Sequence, residues 1–321
     1  MTVSKLTSCT ATAPSSTANL GPGYDVFGLG IDAFNDKVMI TKKDKPSKPQ
    51  ITIKISGQNI SNIPVKTEYN SAGVVLKRMA ADFQIDNAIE VKIHKKIPAG
   101  FGVGSSAGSA VAATLAFDRL FNLKNSKEKL VEYAAEGETA SAGIKHYDNV
   151  SGSLLGGFII VRTNPKLEFI KIDPPKDLFL VIAVPLIEVP KRKTAVARSV
   201  LPKKVPLGSL VHNISNASTV VAGFILNDVC MIAKGINDII IEPARKHLIP
   251  GYETVIENAL QAGALAVTIS GAGPTMISFL KTDENGKCVA EAMRAGFRRS
   301  KIKSKSFICR PSDGAKIIRV K

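Results

Sequence analysis

The sequence feature that most constrains the fold is a glycine-rich segment between a β-strand pattern and a helical one. Residues 89–94 alternate as a strand does, and residues 105–121 form a helical pattern whose first turn holds two serines. Glycines let the backbone pass close to an anion, and the first N–H groups of a helix lack intrahelical partners. The segment predicts a phosphate-binding turn made by Pro98, Ala99, Gly100, Phe101, Gly102, Val103, Gly104, Ser105 and Ser106.

This segment alone leaves a second interpretation open. It lacks the Gly-Lys-Ser/Thr ending of a Walker P-loop, and a glycine turn followed by serine is often only the start of a helix. Two further glycine-bearing segments favour the phosphate interpretation. They are residues 14–25, with the sequence PSSTANLGPGYD, and residues 270–275, with the sequence SGAGPT.

Strand and helix patterns alternate along the chain, which predicts an α+β protein. A chain of 321 residues with 45% hydrophobic residues can bury two moderate cores. Residues 164–175 mix proline, lysine and aspartate, so we place a boundary there between domains at residues 1–165 and 166–321. Strands are predicted at residues 38–41, 51–55, 89–94, 157–161, 178–184, 266–270, 275–280 and 306–310. Helices are predicted at residues 71–83, 105–121, 126–140, 210–233, 252–262 and 284–295.

The net charge is strongly positive, with 43 Lys and Arg residues against 27 Asp and Glu. A formal charge of +16 favours anionic ligands, and the basic residues are densest between residues 294 and 305. Few aromatic residues interleave with them, which favours a solvated face over an RNA-binding patch. We therefore expect no nucleic-acid partner.

The remaining composition points to a cytoplasmic protein without a membrane partner. The N-terminus lacks the apolar core of a signal peptide, and no apolar run reaches the length of a membrane span. Cys9, Cys230, Cys288 and Cys309 have neither zinc-site spacing nor the density of a disulfide scaffold. They are expected to be buried free thiols.

The three glycine-bearing segments, in this order and at this separation, resemble the three signature motifs of the GHMP kinases. The resemblance implies an N-terminal domain like the second domain of ribosomal protein S5 and a C-terminal ferredoxin-like domain, with ATP and substrate between them. The third segment would then lie in a turn that supports the phosphate-binding turn. Any one of the segments would be weak evidence, whereas all three in one chain are specific.

Further segments are similar to the homoserine kinase branch of this superfamily. They are residues 145–150 and 154–158, then 194–202 and 242–251. This resemblance implies transfer of the ATP γ-phosphate to the side-chain hydroxyl of L-homoserine. Two arginines suit the carboxylate of an amino acid, and an aspartate suits its ammonium group. The substrate-binding residues implied in this way are Asn19, Asp25, His146, Asn149, Thr194, Arg198 and Arg245.

The resemblance also implies how magnesium and catalysis would be arranged. Glu138 would bind Mg²⁺ together with Ser106 or Ser105, and Glu138 and Asn149 would be catalytic, while the proton acceptor stays open. A homodimer is expected because such assemblies are common in the family. Two other functions remain: another GHMP kinase of the mevalonate or diphosphocytidyl-methylerythritol type, and a non-catalytic metabolite-binding protein.

Each implied site residue also has a structural alternative. His146 could be a structural histidine and Asn149 could cap a helix. Arg198 and Arg245 could be surface charges, and Asp25 could close a turn.

Overall fold

Two β-sheets, each packed against helices, organise the computed structural model, which describes residues 6–43, 50–58, 60–143, 145–190 and 193–321. The first sheet has the order β11-β1-β2-β4-β3, and β5 pairs with both β2 and β6. Among the described strands of this sheet, β3 and β4 pair in parallel and the other pairs are antiparallel. The strands of this sheet are Ser8–Asn19 (β1), Gly23–Lys42 (β2), Ile51–Gly57 (β3), Ile89–Lys95 (β4), Phe158–Arg162 (β5), Glu168–Ile172 (β6) and Lys316–Val320 (β11).

The second sheet is antiparallel and has the order β10-β7-β9-β8. Its strands are Phe179–Pro185 (β7), Ala266–Ile269 (β8), Met276–Leu280 (β9) and Ser304–Cys309 (β10). The helices are Ser71–Asp82 (α1), Ser105–Phe121 (α2), Lys127–Ala142 (α3), Tyr147–Leu155 (α4), Lys193–Ser199 (α5), Leu207–Ile225 (α6), Val229–Gly235 (α7), Ile241–Arg245 (α8), Tyr252–Gln261 (α9) and Gly286–Arg299 (α10). Short 3-10 turns occur at Thr67–Tyr69 and Lys246–Leu248.

Three clusters of buried apolar residues hold the layers together. The first lies between the first sheet and helices α1 to α4, and the third lies between the second sheet and helices α9 and α10. The second cluster joins the sheets, because Leu29 and Phe158 of the first sheet and Leu180 and Phe279 of the second belong to it, together with Phe224 of α6. The sheets therefore share a core, in which the rings of Phe158 and Phe224 stack with centroids 3.9 Å apart.

The observed elements confirm the α+β class and most predicted elements. Helix α2 begins and ends where the sequence pattern placed it. The predicted helix over residues 210–233 was wrong as a single element, since α6 ends at Ile225 and α7 begins at Val229. The side chain of Asp228 accepts a hydrogen bond from the Met231 N–H, so a new helix starts there.

The predicted linker over residues 164–175 contains β6, which pairs with β5. β11, at the end of the chain, pairs with β1, so the first sheet takes strands from both predicted domains. The boundary between residues 165 and 166 stays a prediction. A division by sheets would instead assign residues 168–172 and 316–320 to the first unit.

Cys9 and Cys309 are buried free thiols as expected, whereas Cys230 and Cys288 are exposed, so that expectation was wrong for those two.

Within the part of the chain that the structure describes, no helix combines the length and apolarity that crossing a bilayer requires.

Candidate active site

The glycine-rich turn adopts a backbone that only glycine accommodates easily. Gly100, Gly102 and Gly104 have φ values of 85°, 78° and 70°. A Cβ atom on Gly102 would lie 2.3 Å from the Ser270 carbonyl oxygen, and one on Gly104 would lie 2.1 Å from the Ser16 hydroxyl. The glycines therefore provide both the turn and its close contact with two distant segments.

Hydrogen bonds join all three glycine-bearing segments. The Ser16 N–H donates to the Val103 carbonyl at 3.3 Å, and the Thr275 N–H donates to the Phe101 carbonyl at 3.3 Å. The Ser270 hydroxyl lies 2.8 Å from the Gly102 carbonyl and 3.0 Å from the Thr17 hydroxyl. The third segment, 168 residues from Gly102 and 253 from Thr17 along the chain, thus lies against the turn, and the three segments form one continuous backbone surface.

Helix α2 starts from this surface without a side-chain cap. Its N-cap is Gly104, in a left-handed conformation, whereas Asn70 caps α1 and Ser126 caps α3 through their side chains. The Ser105 hydroxyl donates to the Ile97 carbonyl at 2.9 Å, so Ser105 closes the turn. The first N–H groups of α2 and the Ser106 hydroxyl are the donors that this end of the helix offers to an anion.

A buried ion pair that the sequence did not indicate fixes both ends of the turn. The Lys95 ammonium donates to Asp36, to the Ser105 carbonyl at 2.8 Å and to the Ser109 hydroxyl at 2.9 Å. The other Asp36 oxygen accepts from the N–H groups of Lys96 and Ile97, at 2.9 and 3.0 Å. The ion pair therefore ties the start of the turn to the first turn of α2.

A second group of charges surrounds the ring of Tyr24. The Arg198 guanidinium lies 5.5 Å from the ring centroid and that of Arg245 lies 5.2 Å away. Nη2 of Arg198 donates to both carboxylate oxygens of Asp25, at 2.8 and 2.7 Å. Tyr24 was missed in the sequence, although its position directly before Asp25 made it a candidate. Two residues predicted to bind opposite ends of a substrate thus pair with each other in this structure.

Arg245 is an interior residue and not a surface charge, because it is only 3% exposed. Its guanidinium donates from Nε to the Ala197 carbonyl at 3.0 Å and from Nη1 to the Gly271 carbonyl at 3.2 Å. The Asn19 side-chain amide donates to the same Gly271 carbonyl at 2.8 Å. The third glycine segment therefore contacts both the glycine-rich turn and the group of charges around Tyr24.

Glu242, one turn before Arg245, supports this helix from the interior. Its carboxylate accepts from the Ile269 N–H at 2.9 Å, so it ties α8 to strand β8. Burial raises the pKa of Glu242 to about 7, although that hydrogen bond lowers it. In the sequence, Glu242 stands out only as part of the segment at residues 242–251.

Glu138 and His146 form a third group on α3 and at the start of α4. The His146 Nδ1 lies 3.4 Å from a Glu138 oxygen, and both side chains are largely buried. Burial lowers the pKa of His146, but its hydrogen bond with Glu138 and the Glu138 charge outweigh this, so the pKa is raised overall. The Glu138 charge also acts on Lys95, whose pKa burial lowers. The charge of Glu138 therefore acts on the ammonium that bonds to Ser105 in the first turn of α2.

Asn149 connects this group to the first glycine segment. Its side-chain oxygen accepts from the Ser16 hydroxyl at 3.1 Å, and its N–H donates to the neighbouring Asp148 carboxylate at 2.7 Å. His146, not Asn149, occupies the N-cap position of α4. Asp148 is fully enclosed, and burial raises its pKa to about 6. Asn149 thus faces the glycine segments, while Asp148 belongs to the interior.

The first turn of helix α5 contains Lys193 and Thr194. Thr194 is partly buried in its first turn, next to Lys193. The Lys193 ammonium donates to the Gly273 carbonyl of the third glycine segment. Burial lowers the pKa of Lys193 to about 7, and the nearby charge of Arg245 lowers it further. Lys193 was not singled out in the sequence.

Hydrogen bonds thus join Asn149, Asn19 and Arg245 to the glycine segments, and known proteins with similar sequences show the family of the chain. The model of the GHMP kinases N terminal domain matches residues 70–157, and that of the GHMP kinases C terminal region matches residues 220–299. A curated homoserine kinase of Methanocella arvoryzae is 36% identical over 97% of both chains. The chain belongs to the homoserine kinase family of GHMP kinases.

Other similarities agree with this family. A curated homoserine kinase of Methanococcus vannielii is 39% identical over 84% of this chain and 87% of its own. The crystal structure of homoserine kinase from Cytophaga hutchinsonii superimposes with a TM-score of 0.90, at 34% identity over 98% of both chains. Mevalonate kinase of L. major, at 14% identity and a TM-score of 0.68 over 98% of both chains, shares the fold alone.

Proposed function

We propose that the protein is an ATP-dependent kinase that transfers the γ-phosphate to the side-chain hydroxyl of L-homoserine, giving O-phospho-L-homoserine and ADP in threonine biosynthesis. The observation that carries this proposal is the group of Asp25, Arg198 and Arg245 around Tyr24, joined by Gly271 to the glycine-rich turn. The opposite charges around Tyr24 suit the two charged groups of an amino acid. The uncapped N–H groups at the start of α2 suit a polyphosphate beside it.

The substrate's two charges would replace the ion pair between Arg198 and Asp25. Its carboxylate would bind the guanidinium groups of Arg198 and Arg245, and its ammonium group would bind Asp25. The Asp25 and Arg198 side chains are 41% and 28% exposed, so the substrate can reach both from solvent. Asn19, His146, Asn149 and Thr194 would orient the remainder of the molecule.

ATP would place its phosphates on the turn from Pro98 to Ser106. Ser106 and Glu138 supply a hydroxyl and a carboxylate oxygen, which are donors that Mg²⁺ accepts, and the Glu138 charge already acts near the first turn of α2. Bound there, Mg²⁺ would neutralise charge on the phosphate oxygens. His146 would hold Glu138 in place through the contact at 3.4 Å.

The protein's main contribution to phosphoryl transfer would be alignment. Asn149 lies where the first glycine segment meets α4, and its contact with Ser16 fixes the orientation of its amide. The amide would orient the homoserine hydroxyl toward the γ-phosphorus atom. Such positioning needs no carboxylate base, since the transition state of phosphoryl transfer is loose.

The test is ADP release by the purified protein with ATP and Mg²⁺, comparing L-homoserine, mevalonate and L-threonine at matched concentrations. We expect release with L-homoserine and formation of O-phosphohomoserine, detected by mass spectrometry. Preference for mevalonate would favour the alternative GHMP kinase, which has less need of Asp25 because its substrate carries no ammonium group. Binding of L-homoserine without turnover would favour the non-catalytic alternative.

The expected cytoplasmic homodimer remains a prediction. Helix α6 supports self-association because it contains no charged residue, although the chain carries a formal charge of +16. Leu207, Val211 and Ile214 on one side of this helix are exposed. Two copies could meet there without charge repulsion. Sedimentation velocity of the wild type and of Val211→Glu tests this, since the variant should sediment as a monomer.

A further inference from the structure

Lys193 and Val189 both lie close to the glycine-rich turn. The Val189 side chain, four residues before Lys193, lies against Gly100, where an added Cβ would be 2.8 Å from a Val189 methyl group. The Lys193 ammonium bonds to the Gly273 carbonyl, and the Gly273 backbone in turn lies against Gly102. The ammonium is therefore held beside the turn that would bind the ATP phosphates.

Among the residues that the structure describes, no carboxylate balances the charge of this ammonium. None of the ion pairs formed by the described residues involves Lys193. The charge that acts on it most is the cation Arg245, which lies on the amino-acid side of the site. A cation held among protein atoms without an anion is unfavourable, so the site is suited to an anionic ligand.

We propose that Lys193 is a further catalytic residue, whose ammonium group binds an oxygen of the γ-phosphoryl group during its transfer. This rests on the proposed kinase function. The new bond forms between the homoserine hydroxyl oxygen and the γ-phosphorus, and the bond from that phosphorus to the β,γ-bridging oxygen breaks. The hydroxyl proton leaves with solvent or phosphate, and Lys193 keeps its own protons.

Two features favour the γ-phosphoryl group over the substrate carboxylate as the ligand. Arg198 and Arg245 already provide two guanidinium groups for the carboxylate, and both lie around Tyr24. Lys193 contacts the Gly273 carbonyl, which a Cβ atom on Gly102 would meet at 2.6 Å, so its ammonium lies beside the turn itself. The charge of Arg245 also acts on Lys193, so the ammonium is close to both the turn and the arginines that would bind the carboxylate.

The lowered pKa of Lys193 agrees with this role. With a pKa of about 7, Lys193 is partly neutral when no ligand is bound. A phosphate beside it would favour the protonated form. The positive charge would then be strongest when ATP is bound. Fixed positive charge at a transferring phosphoryl group is among the largest contributions to catalysis of this reaction class.

The experiment compares Lys193→Met, Lys193→Gln and Lys193→Arg with the wild type, and Lys203→Met as the control at an exposed lysine. Steady-state kinetics with L-homoserine and single-turnover phosphorylation are measured at saturating ATP, and thermal unfolding checks that each variant is folded. Glutamine retains a donor for the Gly273 carbonyl but not the charge, so it separates catalysis from a structural contact.

We expect kcat to fall about 100- to 1000-fold in Lys193→Met and Lys193→Gln, as for loss of one transition-state donor, with the homoserine KM within about threefold. Lys193→Arg should keep much more activity, and Lys203→Met should match the wild type. Near-normal kcat in Lys193→Gln would overturn the proposal, as would a raised homoserine KM with unchanged kcat.

Failure of the kinase proposal would be seen separately. A wild-type protein that phosphorylates another acceptor, but not L-homoserine, would contradict the proposed function. The same variants assayed on that acceptor would still decide whether Lys193 assists the transfer. Equal rates for wild type and Lys193→Met on any accepted substrate would contradict the role of Lys193.

Discussion

The two lysines beside the glycine-rich turn, Lys95 and Lys193, differ in what surrounds their ammonium groups. Lys95 is 3% exposed and bonds to the fully buried Asp36, to a carbonyl and to a hydroxyl. Lys193 keeps some exposure and bonds to the Gly273 carbonyl, without an ion pair among the described residues. One ammonium is fully satisfied by the fold, whereas the other is left for a ligand.

This difference separates stability from function. A paired buried charge contributes when its partners stay in place, and it becomes costly when one partner is removed. An unpaired charge is costly from the start, and proteins tolerate this where a ligand or a reaction needs the charge. We therefore expect changes at Lys95 to affect folding and changes at Lys193 to affect turnover.

The largest effect on stability is expected from breaking the buried pair. Asp36→Ala leaves Lys95 without its anion and removes the acceptor for the N–H groups of Lys96 and Ile97, so we expect the free energy of unfolding to fall by about 3–5 kcal/mol. Urea denaturation measures this loss. The double variant Asp36→Leu with Lys95→Met should recover most of it, because neither charge remains.

An exposed pair provides the control for this prediction. Lys54 and Glu90 are 3.0 Å apart, and the Lys54 side chain is 67% exposed. Glu90→Gln should cost less than about 1 kcal/mol, since solvent screens such pairs. Equal losses for Asp36→Ala and Glu90→Gln would show that the buried pair is not what holds the turn.

Glu242, a carboxylate that forms no ion pair among the described residues, extends the comparison to negative charge. Because burial raises the pKa of Glu242 to about 7, the folded state holds its proton between about pH 4.5 and 7, where the unfolded chain has lost it. Stability is therefore fully present below pH 4.5 and falls as the pH rises to 7, by about 3 kcal/mol. Unfolding free energies of wild type and Glu242→Gln from pH 5 to 8 measure this loss.

The difference in unfolding free energy between wild type and Glu242→Gln reports on Glu242 alone, because all other titrating groups are common to both proteins. Glutamine stays neutral and keeps the oxygen that accepts from the Ile269 N–H. The stability of Glu242→Gln relative to that of the wild type should thus increase as the pH rises. Parallel curves across this range would contradict the raised pKa.

Removing the charge of Lys193 should have a smaller effect, and one of opposite sign. Lys193→Met replaces an unpaired ammonium with an apolar side chain of similar length, so we expect stability to rise by about 1–2 kcal/mol at pH 6. Since the folded pKa is about 7 and the unfolded one 10.5, the wild type is stabilised by about 4 kcal/mol as the pH rises from 7 to 10, so the gain of the variant should vanish and then reverse.

Differential scanning calorimetry of both proteins without nucleotide provides the measurement. A lower melting temperature for Lys193→Met at pH 6 would mean that the bond to the Gly273 carbonyl contributes more than the charge costs. Lys193 would then resemble Lys95, and the contrast between the two would fail.

Local chemistry explains what could be predicted from the sequence. The positive φ values of Gly100, Gly102 and Gly104 and the apolar periodicity of α2 depend on neighbouring residues, so the turn and its helix were predicted at their observed positions. The predicted substrate-binding roles of Asn19, Asp25, Arg198 and Arg245 came from motif resemblance. The structure then related them to one another by contacts that no single motif contains.

The missed features depend on contacts between distant parts of the chain. Asp36 and Lys95 lie 59 residues apart on neighbouring strands, and neither residue has an unusual local pattern. Lys193 contacts a carbonyl 80 residues away. β11 completes the first sheet from the far end of the chain. Side-chain burial decides which of the 43 basic residues matter, and composition cannot show that.

The smallest change in stability is expected at the ion pair between Asp25 and Arg198. Both side chains are partly exposed, so Asp25→Asn should change the unfolding free energy by less than about 1 kcal/mol. The same substitution removes the charge that would bind the substrate's ammonium group, so the homoserine KM should rise by roughly tenfold or more. Steady-state kinetics and urea denaturation of one preparation measure both. An unchanged KM would mean that Asp25 only orients Arg198, and the pair would then belong with Lys95 and Asp36 as a structural contact.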